Sequence, residues 1–164
     1  MIQAKYVVIL MLSIIILIAG CQTAGQEPTF TAEDKAEIVS LTLKRALVDQ
    51  EIPDYGLLIE GGQPIVLSTD NIEDVALPDL PGHTIVLMTA DEIRDKANAE
   101  GDFLYTRFEP FEVETPDKVN LGFGSQWAVA EDSTTGYLSG GGLQMVYERQ
   151  ADGWTGEVEA VWIS

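Results

Sequence analysis

From Asp102 onward the apolar residues of this chain recur at every second position, and that period dictates a sheet. Val119, Leu121, Phe123, Ser125, Trp127 and Val129 alternate with Asn120, Gly122, Gly124, Gln126, Ala128 and Ala130. Successive side chains of a strand point to opposite faces. The stretch therefore reads as one long strand with a heavy apolar face and a face of small residues. Leu143, Met145 and Tyr147 alternate in the same way, as do Trp154, Val158, Ala160 and Trp162. Between those two runs, Gln150-Ala151-Asp152-Gly153 carries the Asp-Gly hairpin signal. Residues 114–118 read as a second turn, with Pro116 pre-setting the backbone. Pro110 lies between Phe108 and Phe111 and cannot donate to a ladder, which places a bulge or a sheet edge there. Residues 102–163 are thus expected to form a four-stranded antiparallel meander.

Upstream the period becomes helical. Ala36, Val39, Leu43, Ala46 and Leu47 make one stripe, widened by Ile38 and Leu41. Glu33, Asp34 and Glu37 come early and Lys44 and Arg45 late, which matches the helix dipole at both ends. A helix is expected from Thr31, ended by Pro53. Two similar phrases follow, "PIVLSTDNI" at 64–72 and "TIVLMTADEI" at 84–93. Each reads as a short buried strand leading into a helix cap. The second cap is well specified: Thr89 with Glu92 three residues on is a capping box, flanked by Met88 and Ile93 as a hydrophobic staple. Ile93 and Ala97 then face inward, and Gly101 stops the helix.

The expected fold class is α+β: an N-terminal helix packed on a curved four-stranded antiparallel meander, with two short strands and a second short helix. This order over residues 31–163 resembles the nuclear transport factor 2-like architecture, in which a curved sheet wraps the first helix into a cone. A cystatin-like wrap is the close relative. The resemblance implies a fold that often encloses a pocket.

The chain begins differently. Lys5 is followed by a run from Val7 to Ile18 that is apolar at every position except Ser13. A hydrocarbon core of ~30 Å needs ~20 apolar residues, so this run is short for a span. A charged start, a short apolar middle and small residues at the end make a secretory signal. Ile18-Ala19-Gly20-Cys21 resembles the lipobox of bacterial lipoproteins. The resemblance implies cleavage between Gly20 and Cys21, diacylglycerol on the thiol and an acylated new amino terminus. Each buried methylene adds ~0.8 kcal/mol of membrane affinity, and stable anchoring takes more than one chain. An uncleaved helix with an incidental cysteine is the alternative. The expected organisation is a signal peptide over 1–20, a lipidated cysteine and tether over 21–30, and a single acidic domain over 31–164. Cys21 is the chain's one cysteine, so its modification would leave no thiol to mispair in an oxidising compartment. Gln22, rather than aspartate, follows the cysteine; in a Gram-negative source the family's sorting scheme then implies the outer membrane, facing the periplasm.

The net charge of −18 disfavours nucleic acid or an anionic head group as partner. His83 is the one histidine, so a zinc site built on it lacks companions. Glycines 140–142, with Ser139 before them, lead into a strand instead of a helix, which suits a curved sheet better than a phosphate cradle. Glu157 and Glu159 lie two apart on one strand and read as a solvent face. Asp70, Glu73, Asp74 and Asp79 lack the EF-hand glycine. Neither a metal nor a cofactor is expected. Arg107, Gln126, Trp127 and Ser139 remain as residues of a pocket or binding surface. If Arg107, Gln126 and a carboxylate converge on the face that carries the first helix, that face holds a site; if Trp127, Phe123 and the helix fill it, no substrate fits. The expected function is a lipid-anchored envelope protein that binds an envelope protein partner or a small ligand, with a small pocket enzyme or carrier as the alternative.

Overall fold

The computed structural model describes residues 29–137 and 140–163. Helix α1 (Ala32–Leu43) starts as its sequence dictates. The Thr31 hydroxyl accepts the Asp34 N–H at 3.2 Å, and the Asp34 carboxylate accepts the Thr31 N–H at 2.8 Å. Thr31 is therefore the cap, not the first helical residue. Ile38, Val39, Leu43, Ala46 and Leu47 are fully buried, while Ala36 and Leu41 lie at the margin of the stripe. The helix widens into a π turn over Lys44–Val48, and Gln50 adopts φ of 61°. This left-handed residue turns the chain before Pro53 is reached. A single-turn helix, α2 (Tyr55–Leu58), and a 3-10 turn (Glu60–Gly62) follow; both are too short to show a period.

The fold is α+β, as the sequence indicates, but the expected four-stranded meander is only part of a seven-stranded sheet. Its strands are β1 (Ile65–Ser68), β2 (Ile85–Met88), β3 (Phe103–Phe108), β4 (Glu112–Thr115), β5 (Lys118–Ala128), β6 (Gly141–Gln150) and β7 (Gly153–Ile163). The order is β2-β1-β3-β5-β6-β7, with β4 paired to β5. Strand β1 is parallel to both β2 and β3. Helix α3 (Ala90–Glu100) carries the chain from β2 across β1 to β3. Parallel strands buried on both faces read as continuous apolar runs, and β1, "IVLS", is buried at all four positions. The first cap-like phrase does not start a helix; the Asp70 N–H donates to the Ser68 hydroxyl in a turn.

Between β1 and β3 one register pair is made, Leu67 opposite Thr106. Side chains reinforce this seam. The Thr106 hydroxyl donates to the Val66 carbonyl at 3.1 Å, and the Asn71 amide donates to the Phe108 carbonyl at 2.9 Å.

Pro110 acts as a break. Strands β3 and β4 both pair with β5, Phe108 opposite Phe123 and Glu112 opposite Asn120. The turn expected over 114–118 narrows to Pro116-Asp117, and Val129 falls past the end of β5, exposed. In β7 the ladder skips one residue: Val158 faces Met145 and Ala160 faces Gln144, leaving Glu159 as a bulge. The bulge turns Ala160 and Trp162 to the face opposite Val158, so the alternation read in the sequence fails halfway along the strand.

One sheet face carries α1. Its Ile38, Val39 and Leu43 pack with Phe108, Leu121, Phe123, Leu143, Met145 and Trp154 in a continuous core. Each fully buried large apolar side chain contributes ~1.5–3 kcal/mol. Polar groups inside this core are paired. The hydroxyls of Thr42 and Tyr147 lie 2.8 Å apart, and Asp34 accepts from Arg149 at 2.7 Å and from the Trp154 indole at 2.9 Å. The other face carries α3, begun by the Thr89–Glu92 capping box and stopped at Gly101 with φ of 97°. Its Ile93 and Ala97 pack on Val66 and Ala128. This helix covers the β2-β1-β3 end and reaches the last residue of β5, Ala128.

Candidate functional site

Arg107 and Gln126 do meet a carboxylate, but on the face away from α1. Arg107 stands opposite Gly124. Its guanidinium reaches Gln126 Oε1 at 3.5 Å and Glu109 Oε2 at 3.0 Å. Beside it Gly124 and Gly142 form a floor over which the Trp162 ring is laid, while Gly122 lies under the Glu109 side chain. A Cβ on Gly142 would stand 2.3 Å from that ring, so the small-residue face exists to admit the indole. The face under α1, by contrast, is filled by Phe108, Phe123 and the helix. Ser139 lies outside the described residues, as do Gly20, Cys21 and the whole lipobox.

Trp127 belongs to a different place. It lies on the α1 side of the sheet and stacks on Tyr137, centroids 4.1 Å apart and planes at 17°. Together with Leu104 it borders a cleft of about 590 Å³ where the starts of β1 and β3 diverge. The volume falls in the range of small-molecule sites, ~300–1,000 Å³. Leu57 and Leu58 of α2, Val66 of β1, Val86 and Met88 of β2, and Phe103 of β3 complete its apolar wall. Glu60, Gln63, Lys96, Glu100 and Asp102 supply the polar part.

The local chain explains the cleft. Parallel strands joined at one register pair are free to splay at their starts, and Pro64, just before β1, has no N–H with which to extend the ladder. The rim is held by its own bonds. Lys96 is ion-paired to Glu100 and lies 5.4 Å from the centroid of the Phe103 ring. Asp102 accepts from the Ser133 hydroxyl and the Ala130 N–H, and these bonds hold its carboxyl below the ordinary range. They also pin the 129–137 loop that brings Tyr137 to Trp127. The Tyr137 phenol is raised, chiefly by its hydrogen bond to Asp102.

The remaining candidates are dispersed. His83 stands edge-on to Tyr55, centroids 5.9 Å apart, beside a recess of about 160 Å³. Ser125 donates to Asp54 at 2.7 Å and accepts the Gly141 N–H at 3.1 Å. It is a buried clamp between β5 and β6. Gly140 has φ of 108° and lies so close to Ser125 that a Cβ would stand 2.2 Å from its carbonyl oxygen. Glu157 and Glu159 are both exposed, the second on the bulge. Among the described residues, no three of His, Cys, Asp and Glu are placed to hold a metal, and no helix is long and apolar enough to cross a membrane. Lys96, Glu100, Leu57 and Leu104 were not singled out by the sequence; α2 is a single turn, and α3 was legible chiefly through its caps. No family model matches the chain, and no curated protein or solved structure matches it significantly.

Proposed function

We propose that this chain is a lipid-anchored bacterial envelope protein that binds a small, largely apolar ligand in the cleft between β1 and β3. The 590 Å³ volume, walled by Leu57, Leu58, Val66, Phe103, Leu104 and Trp127, is the observation that carries the reading. Binding without chemistry is favoured by the polar rim: Asp102 is bonded to Ser133 and Ala130, Lys96 to Glu100, and among the described residues the cleft lining holds no histidine, serine, threonine or cysteine to act as nucleophile or partner base beside Glu60.

The anchor half of the proposal rests on Ile18-Ala19-Gly20-Cys21. Intact-mass spectrometry of protein recovered from bacterial membranes tests it. Residues 21–164 plus a glyceride and fatty acids are expected for the wild type and not for Cys21→Ala. An unmodified full-length mass would end the lipoprotein reading. The cleft half is tested with the uncharged dye Nile red. Saturable one-to-one binding that Leu104→Trp abolishes is expected; binding indifferent to that substitution would place the dye elsewhere and refute the site.

A further inference from the structure

Resting on the cleft as a binding site, we propose that it selects amphiphilic organic cations, with the apolar body between β1 and β3 and an ammonium group at the rim. The wall offers what such a ligand's body needs: Val66 and Leu104 as hydrocarbon, Phe103 and Trp127 as aromatic surface. Ring faces attract cations by their quadrupole, most strongly where water is thinned out.

The rim supplies the charge. Three carboxylates, Glu60, Glu100 and Asp102, stand around the cleft against one cation, Lys96. Lys96 itself shows what the rim stabilises, because its alkylammonium is held between the Phe103 ring and the Glu100 carboxylate. With Lys96 neutralised by that pairing, an incoming anion meets acids and, among the described residues, no unpaired cation in the cleft lining. An incoming cation meets Glu60 and the ionised Asp102. Beyond the rim, the net charge of −18 raises the local concentration of cations and lowers that of anions.

Three ten-carbon probes separate the charge from the chain: decyltrimethylammonium, decanoate and decanol, titrated below micelle-forming concentration by calorimetry at low and at physiological salt. The cation is expected to bind about tenfold or more tightly than decanoate, with the preference reduced by salt. Glu60→Gln combined with Glu100→Gln frees Lys96 and removes two acids. It should collapse the preference to below about threefold while leaving decanol unchanged. Decanoate binding as tightly as the cation, or a preference that survives the double substitution, overturns the selectivity and leaves the cleft intact as an apolar site. Probes that bind equally well to wild type and to Leu104→Trp, or that do not bind at all, overturn the cleft reading itself. Leu57→Trp, at a rim position 51% exposed, serves the same purpose if Leu104→Trp does not fold.

Discussion

Asp34→Asn is the substitution that tests most directly how this domain is held together. One carboxylate joins three parts of the chain. Its Oδ2 accepts from the Thr31 N–H, the Thr31 hydroxyl and the Arg149 guanidinium, and its Oδ1 accepts from the Trp154 indole. It therefore binds the start of α1 to the end of β6 and the start of β7. Asparagine keeps one oxygen, which can stay with Trp154. Its amide NH₂ then points at Arg149 and Thr31, donor against donor. A hydrogen bond to a charged group contributes ~1.5–3 kcal/mol, and half of a capping box ~0.5–1. Arg149 keeps Asp117 at 3.1 Å, so the loss falls at the low end of that for a broken buried pair, about 3 kcal/mol. For a domain of this size that is a fall in Tm of roughly 10 °C.

The pH dependence is the sharper check. The Arg149 guanidinium first, helped by Trp154 and Thr31, holds the Asp34 carboxyl far below the usual carboxylate range. A depressed acid contributes stability that is full above its unfolded pKa, ~3.9, and is lost as pH falls through the lower folded value. Urea unfolding of wild type and variant at pH 7, 4 and 2.5 should show a gap that is widest at neutral pH and narrows on acidification. A neutral-pH gap under about 1 kcal/mol, or one that does not narrow, would refute the assignment of Asp34 as the junction.

Tyr147 makes the opposite kind of pH statement. Burial pushes its phenol up to about 12, so the neutral form is favoured in the fold and stability is lost as pH rises from ~10, the unfolded value, toward 12. Tyr147→Phe should cost about 1 kcal/mol at neutral pH and remove that part of the alkaline loss, read by denaturant unfolding. Gly142→Ala should lower Tm by several degrees, because a Cβ there would meet the Trp162 ring at 2.3 Å and the Phe123 carbonyl at 2.7 Å. Gly136→Ala, with open space around its Cα, should change Tm by less than about 2 °C.

Much of the sheet was legible because alternation is a local signal. Strand β5 and the hairpin between β6 and β7 follow from it, and so does the break at Pro110. The cap at Thr89 was equally legible, since four neighbouring residues specify it. The bulge at Glu159 was not, because one inserted residue leaves the composition of β7 unchanged while it turns Trp162 to the other face. Nor was the parallel pairing of β1 with β3, which joins residues about 40 positions apart. Of the residues singled out as a site, Trp127 borders the cleft, while Arg107 and Gln126 lie on the opposite face. The cleft arises from how two strands diverge, and divergence is a property of register that no single residue announces.

The seam between β1 and β3 has a dynamic consequence. The antiparallel ladder from β3 to β7 is continuous, whereas β1, β2 and α3 are hydrogen-bonded to it through Leu67–Thr106 and two side-chain bonds, from Thr106 and Asn71, with Ile65 and Leu67 packed in the core and Ala97 near Ala128. Amide exchange should divide along this line, with slow exchange in β5 and β6 and a lower opening free energy shared by β1, β2 and α3. Opening of that unit would draw Ile65 and Leu67 out of the core they share with Phe108 and Phe123, so it is a sub-global event rather than fraying. The cleft could then admit a bulky occupant by breathing at one edge, and retain it once Thr106 and Val66 re-engage.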